Sequence, residues 1–171
     1  MNEPWMALAL EEARAAAREG EAPVGAIVVV DGEVAARGRN RRETDRDPTA
    51  HAELIAVRDA AEHLGRWRLS GATVYVTLEP CPMCAGALIL ARVDRIVFGA
   101  YDPKAGACGS VVDLFESGRF NHRPEIVGGV MAEACGRVLS EFFEGRRGQQ
   151  KIKIERSGSL GTGTRASVAL R

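Results

Sequence analysis

No run of apolar residues in this sequence reaches the roughly 18 needed to cross a bilayer; the longest β-like stretch, Val24 to Val30, stops at Asp31. The opening Met1-Asn2-Glu3-Pro4 has no basic stretch followed by an apolar one, so no secretory signal is expected and a cytoplasmic protein is. Net charge is missing too, because 23 Lys/Arg balance 23 Asp/Glu. Such a balance ordinarily speaks against a nucleic-acid partner, but here it is uneven. From Gly145 to Arg171 there are seven basic side chains and one Glu, a net of +6, which leaves a body of −6. A basic tail of this kind serves either solubility or a polyanion, and both readings stand. Cysteine is scarce: four thiols without a secretory signal read as thiols or metal ligands rather than disulfides.

What is present suits one soluble globular domain: 171 residues, 46% of them apolar and 27% charged. A first helix is predicted over Pro4 to Glu19, stopped by Gly20, with Trp5, Met6, Ala9, Leu10, Ala13, Ala16 and Ala17 on one arc. Val24 to Val30 and Glu33 to Arg39 read as strands joined by an Asp31-Gly32 hairpin turn. After a polar loop from Asn40 to Pro48 comes a helix over Ala50 to His63, then a strand, Ala72 to Leu78, and a helix, Pro82 to Ala91. Strands over Arg95 to Ala100 and Glu125 to Val130 precede a last helix from Met131 to about Gly145. Strands interleaved with helices predict an α/β sandwich around one sheet. Ser157 to Arg171, rich in Gly, Ser and Thr, reads as disordered.

Two segments carry chemistry: Thr49-Ala50-His51-Ala52-Glu53 and Glu79-Pro80-Cys81-Pro82-Met83-Cys84. Imidazole and two thiolates are a zinc donor set, and the C-x-x-C spacing puts both sulfurs on one helical turn. A helix N-terminus favours anions and so favours the thiolate form of Cys81 and Cys84. Three ligands rather than four leave a position for water, which distinguishes a catalytic zinc from a structural one. Glu53 lies where a proton acceptor is needed. On a regular helix, side chains two positions apart diverge by about 200°. His51 and Glu53 can therefore face one site only if His51 stands at the very start of its helix. The competing readings are a structural zinc completed by Cys108, Cys135 or His122, and a redox C-x-x-C, which would leave the His-x-Glu pair unexplained.

His51-Ala52-Glu53 with Pro80-Cys81-Pro82-Met83-Cys84 resembles the zinc nucleoside and nucleobase deaminases, in which the Glu is acid and base but not a ligand. From Trp5 to about Arg147 the chain is similar to the bacterial tRNA-specific adenosine deaminases. The similarity runs through Ala22-Pro23-Val24-Gly25-Ala26, Asp47 to Glu53, Tyr75 to Cys81, Val97-Phe98-Gly99-Ala100, Asp102-Pro103-Lys104-Ala105-Gly106 and Asn121-His122-Arg123. It ends on Phe142-Phe143 and Arg146-Arg147.

The resemblance implies a cytidine-deaminase-like fold, a three-layer α/β/α sandwich around a five-stranded mixed sheet. The deaminase domain would fill 1–149, and 150–171 would form a basic, disordered tail. It implies a homodimer holding one Zn2+ per subunit that converts adenosine to inosine at the wobble position (34) of an arginine tRNA, releasing ammonia. Metal ligands would be His51, Cys81 and Cys84, and the proton carrier Glu53. Asn40 would bind the target base, Asp102 and Lys104 the flanking nucleotides, and Phe142, Phe143, Arg146 and Arg147 the neighbouring bases and phosphates. Asn40 and Asp102 also suit plain turn roles, and of two adjacent phenylalanines only one can face the core. Arg37, Arg39, Arg41, Arg42 and Arg46 form either a phosphate-binding cluster or a solvated face, diluted by Glu43, Asp45 and Asp47. Two rival functions remain: a deaminase of free guanine or cytosine, which needs no aromatic-basic C-terminal helix, and a catalytically idle zinc domain, which needs no Glu53.

Overall fold

The computed structural model describes residues 2–158 except 117 and 119, with side chains described as far as 148. Helix α1 (Glu3–Arg18) is followed by strands β1 (Gly25–Val30) and β2 (Glu33–Arg39), a single turn α2 (Arg42–Asp45), and α3 (Ala52–His63). Then come β3 (Ala72–Leu78), α4 (Pro82–Leu90), β4 (Arg95–Ala100), β5 (Glu125–Val127) and α5 (Ala132–Gly158). The five strands form one sheet in the order β2-β1-β3-β4-β5. β1 is antiparallel to both β2 and β3, whereas β3, β4 and β5 run parallel, so the sheet is mixed. The β1–β2 turn has Asp31 and Gly32 both at positive φ, the geometry that matches strand twist in a two-residue hairpin.

Alternation along the strands divides the interior into two layers. Ile27, Val29, Tyr75 and Val97 pack against Met6, Ala9 and Leu10 of α1 and Cys135 of α5. Val28, Val74, Val76, Ile96 and Phe98 pack against Ala52, Ala56 and Ala60 of α3 and Ala85 and Leu88 of α4. The result is the expected three-layer sandwich. Both hairpin strands take their helices at very short range because they carry glycine there. A Cβ on Gly25 would lie 2.1 Å from the Ala9 carbonyl oxygen, and one on Gly38 would lie 2.2 Å from that of Ala52 and 2.7 Å from the Ala56 nitrogen. Gly38 thereby sets the height of α3, and with it the start of the His51-x-Glu53 segment.

Three expectations need correction. The polar loop after Asn40 contains the turn α2, which the carboxylate of Glu21 holds by accepting the Thr44 backbone N–H at 2.7 Å. β5 stops at Val127 rather than Val130, because the ring of Phe98 occupies the space a Cβ on Gly128 would need and Gly129 has φ +84. α5 passes through Gly145 and Gly148 and reaches Gly158. One helical glycine costs only about 1 kcal/mol, too little to halt a run of Glu, Arg, Gln and Lys. Residues 150–158 thus continue the helix instead of leaving it as a disordered tail; 159–171 lie outside the described residues.

Gly38→Ala is expected to cost about 1–3 kcal/mol, the usual range for overpacking, read as a lower urea midpoint. Gly145→Ala, with open space around it, is expected to gain up to about 1 kcal/mol. Equal effects at the two sites would contradict the seating of α3 on Gly38.

Candidate active site

His51 follows the turn at Pro48 and Thr49, Cys81 follows Pro80 just past the end of β3, and a helix begins directly after each of the two residues. His51 is the residue that precedes α3, with extended backbone (φ −83, ψ 149), and Cys81 stands in the same place before α4 (φ −73, ψ 169). The structural demand made by the His-x-Glu spacing is therefore met: His51 lies outside the helical twist and Glu53 within its first turn. His51 Nδ1 lies 3.8 Å from Cys81 Sγ and 3.5 Å from Cys84 Sγ. All three ligand atoms fall within 4.8 Å of one another.

Tetrahedral zinc, with bonds of about 2.0–2.3 Å, needs donor atoms about 3.5–3.8 Å apart; the distances from the nitrogen to the two sulfurs fit that spacing. Among the described residues no further ligand-type side chain joins the trio. Cys135 is instead buried behind Gly99. The His122 Nε2–H donates to the Val93 carbonyl at 2.6 Å, just before the start of β4 and so at the opposite end of the strands from the trio. The structural-zinc alternative loses its candidate fourth ligands.

The thiols do not behave alike. A hydrogen bond from Cys84 holds Cys81 down at about 4, against the opposing effect of burial, with His51 adding to the pull. Cys84 is raised by the same shared proton and by burial. Cys81 is thus the sulfur favoured as a thiolate, with Cys84 as its hydrogen-bond partner. The hydrogen bond with Cys81 raises the His51 imidazole. Glu53 is only 4% exposed, and burial raises its carboxyl above the ordinary range, opposed by its own backbone N–H and by His51. A carboxyl shifted upward is suited to both accepting and returning a proton near neutrality.

These groups lie in a cleft of about 1260 Å³ at one end of the sheet. It is bounded by Val24 before β1, Asn40 after β2, Leu78 and Glu79 at the end of β3, and Ala100 and Tyr101 at the end of β4. His51, Glu53, Cys81, Asn40, Asp102, Lys104, Phe143, Arg146 and Arg147 all line it, and Cys84 is fully buried in its wall. Phe142 does not line it. Only one of the two phenylalanines can, because neighbouring side chains on a helix point about 100° apart. The ring of Phe142 is half-buried beneath the Arg146 guanidinium, 5.4 Å away, while Phe143 is exposed.

Of the five crowded arginines, Arg37 pairs with Glu11 and Glu12 at 3.6 Å, Arg39 with Glu12 at 3.0 Å and Glu19 at 2.8 Å, and Arg41 with Asp45 at 3.0 Å. Those three form a neutralised face, and Arg42 is the one that reaches the cleft.

Two glutamates that no motif assigns a role shape the cleft's walls. Glu79 accepts the backbone N–H groups of Asp102 and Cys108 at 2.9 Å and of Ser110 at 3.1 Å, together with the Ser110 hydroxyl. It anchors the whole loop that carries Asp102 and Lys104. Asp102 itself makes the turn foreseen as its alternative, accepting the Lys104 N–H at 2.9 Å. Gly106 is glycine because a Cβ there would lie 2.3 Å from the Glu79 carboxylate. The second is Glu21, whose carboxylate accepts the Asn40 side-chain amide at 3.2 Å. Asn40 is therefore a buried, side-chain-bonded group rather than a plain turn residue. The sequence signal for both was weak: a Glu next to Pro80, and a Glu just before the Ala22-Pro23 segment.

A mixed five-stranded sheet that brings a His-Cys-Cys trio and a buried Glu to one cleft defines a hydrolytic deaminase. Residues 1–147 match the family model of the MafB19-like deaminases. The chain is 51% identical over 150 residues to the tRNA-specific adenosine deaminase of Bacillus subtilis (strain 168), covering 88% of this chain and 93% of that one. A solved structure from a study of A-to-I editing by tRNA:A34 deaminases superposes with a TM-score of 0.77 at 46% identity, covering 80% of this chain and 99% of that one. The guanine deaminase of Nitrosomonas europaea superposes with a TM-score of 0.73 at 25% identity, over 83% and 84% of the two chains. The chain belongs to the tRNA-specific adenosine deaminase family.

Burial pushes the Glu79 carboxyl up, but the hydrogen bonds from Ser110, Asp102 and Cys108 more than offset it and leave it below its ordinary 4.5. A carboxylate lowered on folding stabilises fully above that value, and its contribution is lost as pH falls through the lower folded value. Glu79→Gln is therefore expected to lower stability at pH 7 by about 1–3 kcal/mol and to flatten the acid limb below about pH 4.5. Urea midpoints measured from pH 7 to pH 3 check both; parallel acid limbs would contradict the assignment.

Proposed function

We propose that this protein hydrolyses adenosine to inosine at the wobble position (34) of a tRNA anticodon, releasing ammonia. The substrate is an arginine tRNA, one zinc is held per subunit, and the protein works in the cytoplasm. The observation that carries this reading is the cleft itself. At about 1260 Å³ it exceeds the ~300–1,000 Å³ typical of small-molecule pockets. Four cationic side chains, Arg42, Lys104, Arg146 and Arg147, and the exposed ring of Phe143 stand around it. A free base needs none of these. An anticodon loop with splayed bases uses all of them, through phosphate contacts and stacking.

His51, Cys81 and Cys84 would hold the zinc, which when bound supplies Lewis acidity and lowers the pKa of a water toward about 7. Glu53 takes the proton from the attacking water and delivers it to N1 of adenine as the oxygen bonds to C6. Glu53 then carries the second proton to the exocyclic nitrogen, the C6–N6 bond breaks, and ammonia leaves. Asn40 holds the base edge, and Asp102 and Lys104 meet the flanking nucleotides. Phe143 stacks on a neighbouring base while Arg146 and Arg147 take phosphates. Phe142 supports this rim from behind.

A second copy of the chain is the partner that best fits α4. Its nine residues carry no charge, and Met83 and Leu90 expose 37% and 72% of their surface on one stripe. A homodimer through this face would bury it. Leu90→Arg is expected to yield monomers by light scattering, where an unchanged mass would exclude this interface.

The deciding assay offers an arginine anticodon stem-loop, free guanine and free cytosine to the enzyme. Inosine, read as A-to-G on sequencing, is expected only in the stem-loop; ammonia from a free base alone would favour the rival reading. Glu53→Ala is expected to keep zinc and stem-loop affinity and to lose about 10²–10⁴-fold in turnover, whereas Cys84→Ser loses metal and activity together. Loss of zinc from Glu53→Ala would overturn this division of roles.

A further inference from the structure

Glu21 is a buried carboxylate that the chemistry above leaves unused. It is 1% exposed, and among the described residues no Lys, Arg or His forms an ion pair with it. A lone buried carboxylate is costly unless hydrogen bonds replace its hydration. Two donors do so here. The Thr44 backbone N–H donates to Oε1 at 2.7 Å, and the Asn40 Nδ2–H donates to Oε2 at 3.2 Å. Burial pushes this carboxyl up, but the bonds from Thr44 and the Glu43 backbone, with the nearby charge of Arg42, outweigh burial and hold it below its ordinary range. It is therefore ionised near neutral pH.

An ionised carboxylate accepts and never donates. Only Nδ2 of Asn40 can face it, and the Asn40 amide has one orientation. Glu21 stands behind Asn40 and does not line the cleft, whereas Asn40 does, alongside His51 and Glu53. The amide is left with Oδ1 and one Nδ2–H, an acceptor and a donor in a set order. That is the pattern by which an asparagine reads the N6/N7 edge of adenine. The other carboxylate oxygen ties the same orientation to α2, whose Arg42 lines the cleft.

We propose that Glu21 is a positioning residue, which locks the Asn40 amide in the orientation that recognises the base and couples it to the turn at Thr44. The proposal rests on the reading of Asn40 as a base contact. A neutral amide at position 21 cannot do the same work: its NH2 takes the place of one of the two oxygens and meets a donor there, so either Thr44 or Asn40 goes without a partner, or the Asn40 amide turns over.

A double-mutant cycle tests this, with Glu21→Gln, Asn40→Ala and the double variant measured for kcat/KM on the adenosine stem-loop and for stem-loop affinity. Glu21→Gln is expected to lower kcat/KM about tenfold at unchanged zinc content, the size of losing one well-placed hydrogen bond. In the Asn40→Ala background the same change is expected to cost less than about twofold, because its effect passes through Asn40. Equal costs in both backgrounds, or no cost in either, would overturn the proposal. Glu21→Asp, whose carboxylate is one methylene too short to reach both Asn40 and Thr44, carries the cycle with the same expectation if the Gln variant fails to fold. A third readout needs no substrate. The Asn40 side-chain amide protons should exchange slowly in NMR spectra of the wild type and fast in the variant. Fast exchange in the wild type overturns the proposal whatever the enzyme acts on. Absence of inosine with a slowly exchanging Asn40 amide means that the proposed activity has failed and the positioning has not.

Discussion

The site exists because two helices begin side by side above the same end of one sheet. His51 and Cys81 each occupy the extended position just before a helix, and that shared place in their elements lets an imidazole nitrogen approach two sulfurs to 3.5 and 3.8 Å. Helix N-termini present unpaired N–H groups and a partial positive charge, so the same arrangement that gathers the donors also favours an anion there, a role that falls to Cys81. Glu53, in the first turn of α3, inherits the geometry: had His51 been inside the helix, the two side chains would face different directions. The height of α3 over the sheet depends in turn on Gly38, where the Ala52 carbonyl leaves no room for a Cβ.

Three buried glutamates around the cleft show how differently a low-dielectric site can treat one functional group. Glu79 is surrounded by N–H donors and one hydroxyl and stays ionised, binding the 102–110 loop to the end of β3. Glu21 is likewise kept ionised by donors and orients Asn40 from behind. Glu53 has fewer compensating donors, and burial raises its carboxyl, which is the state a proton carrier requires. The first two hold the cleft's walls still; the third is left free to change its charge.

The rim carries the distinction between substrates. The guanine deaminase fold superposes on this one, so the sheet and its trio alone do not select an RNA. α5 and the 101–105 loop add Phe143, Arg146, Arg147 and Lys104, which all line one cleft, and the proposed choice of an RNA rests on them. The ion pairs of Arg37, Arg39 and Arg41 with α1 and α2 remove three charges from that electrostatic surface. What remains positive is concentrated near the donors rather than spread over the loop.

Local pattern was sufficient for most of the fold. β2, β3 and β4 have the boundaries their alternation predicted, the Asp31-Gly32 turn has the positive φ values its residues invite, and the apolar arc of α1 is the face that is buried. The metal donors and Glu53 were equally legible, since their spacing relative to two helix starts is a property of neighbouring residues. Tertiary packing decided the rest. The carboxylates of Glu21 and Glu79 find partners 19 to 31 positions away, and which phenylalanine meets the cleft, which arginines pair with α1 and where β5 ends likewise depend on residues of other elements. The physical reason is range: periodicity and turn chemistry act within a few residues, while hydrogen bonds to a buried carboxylate and the space left for a Cβ depend on what the folded chain brings beside them.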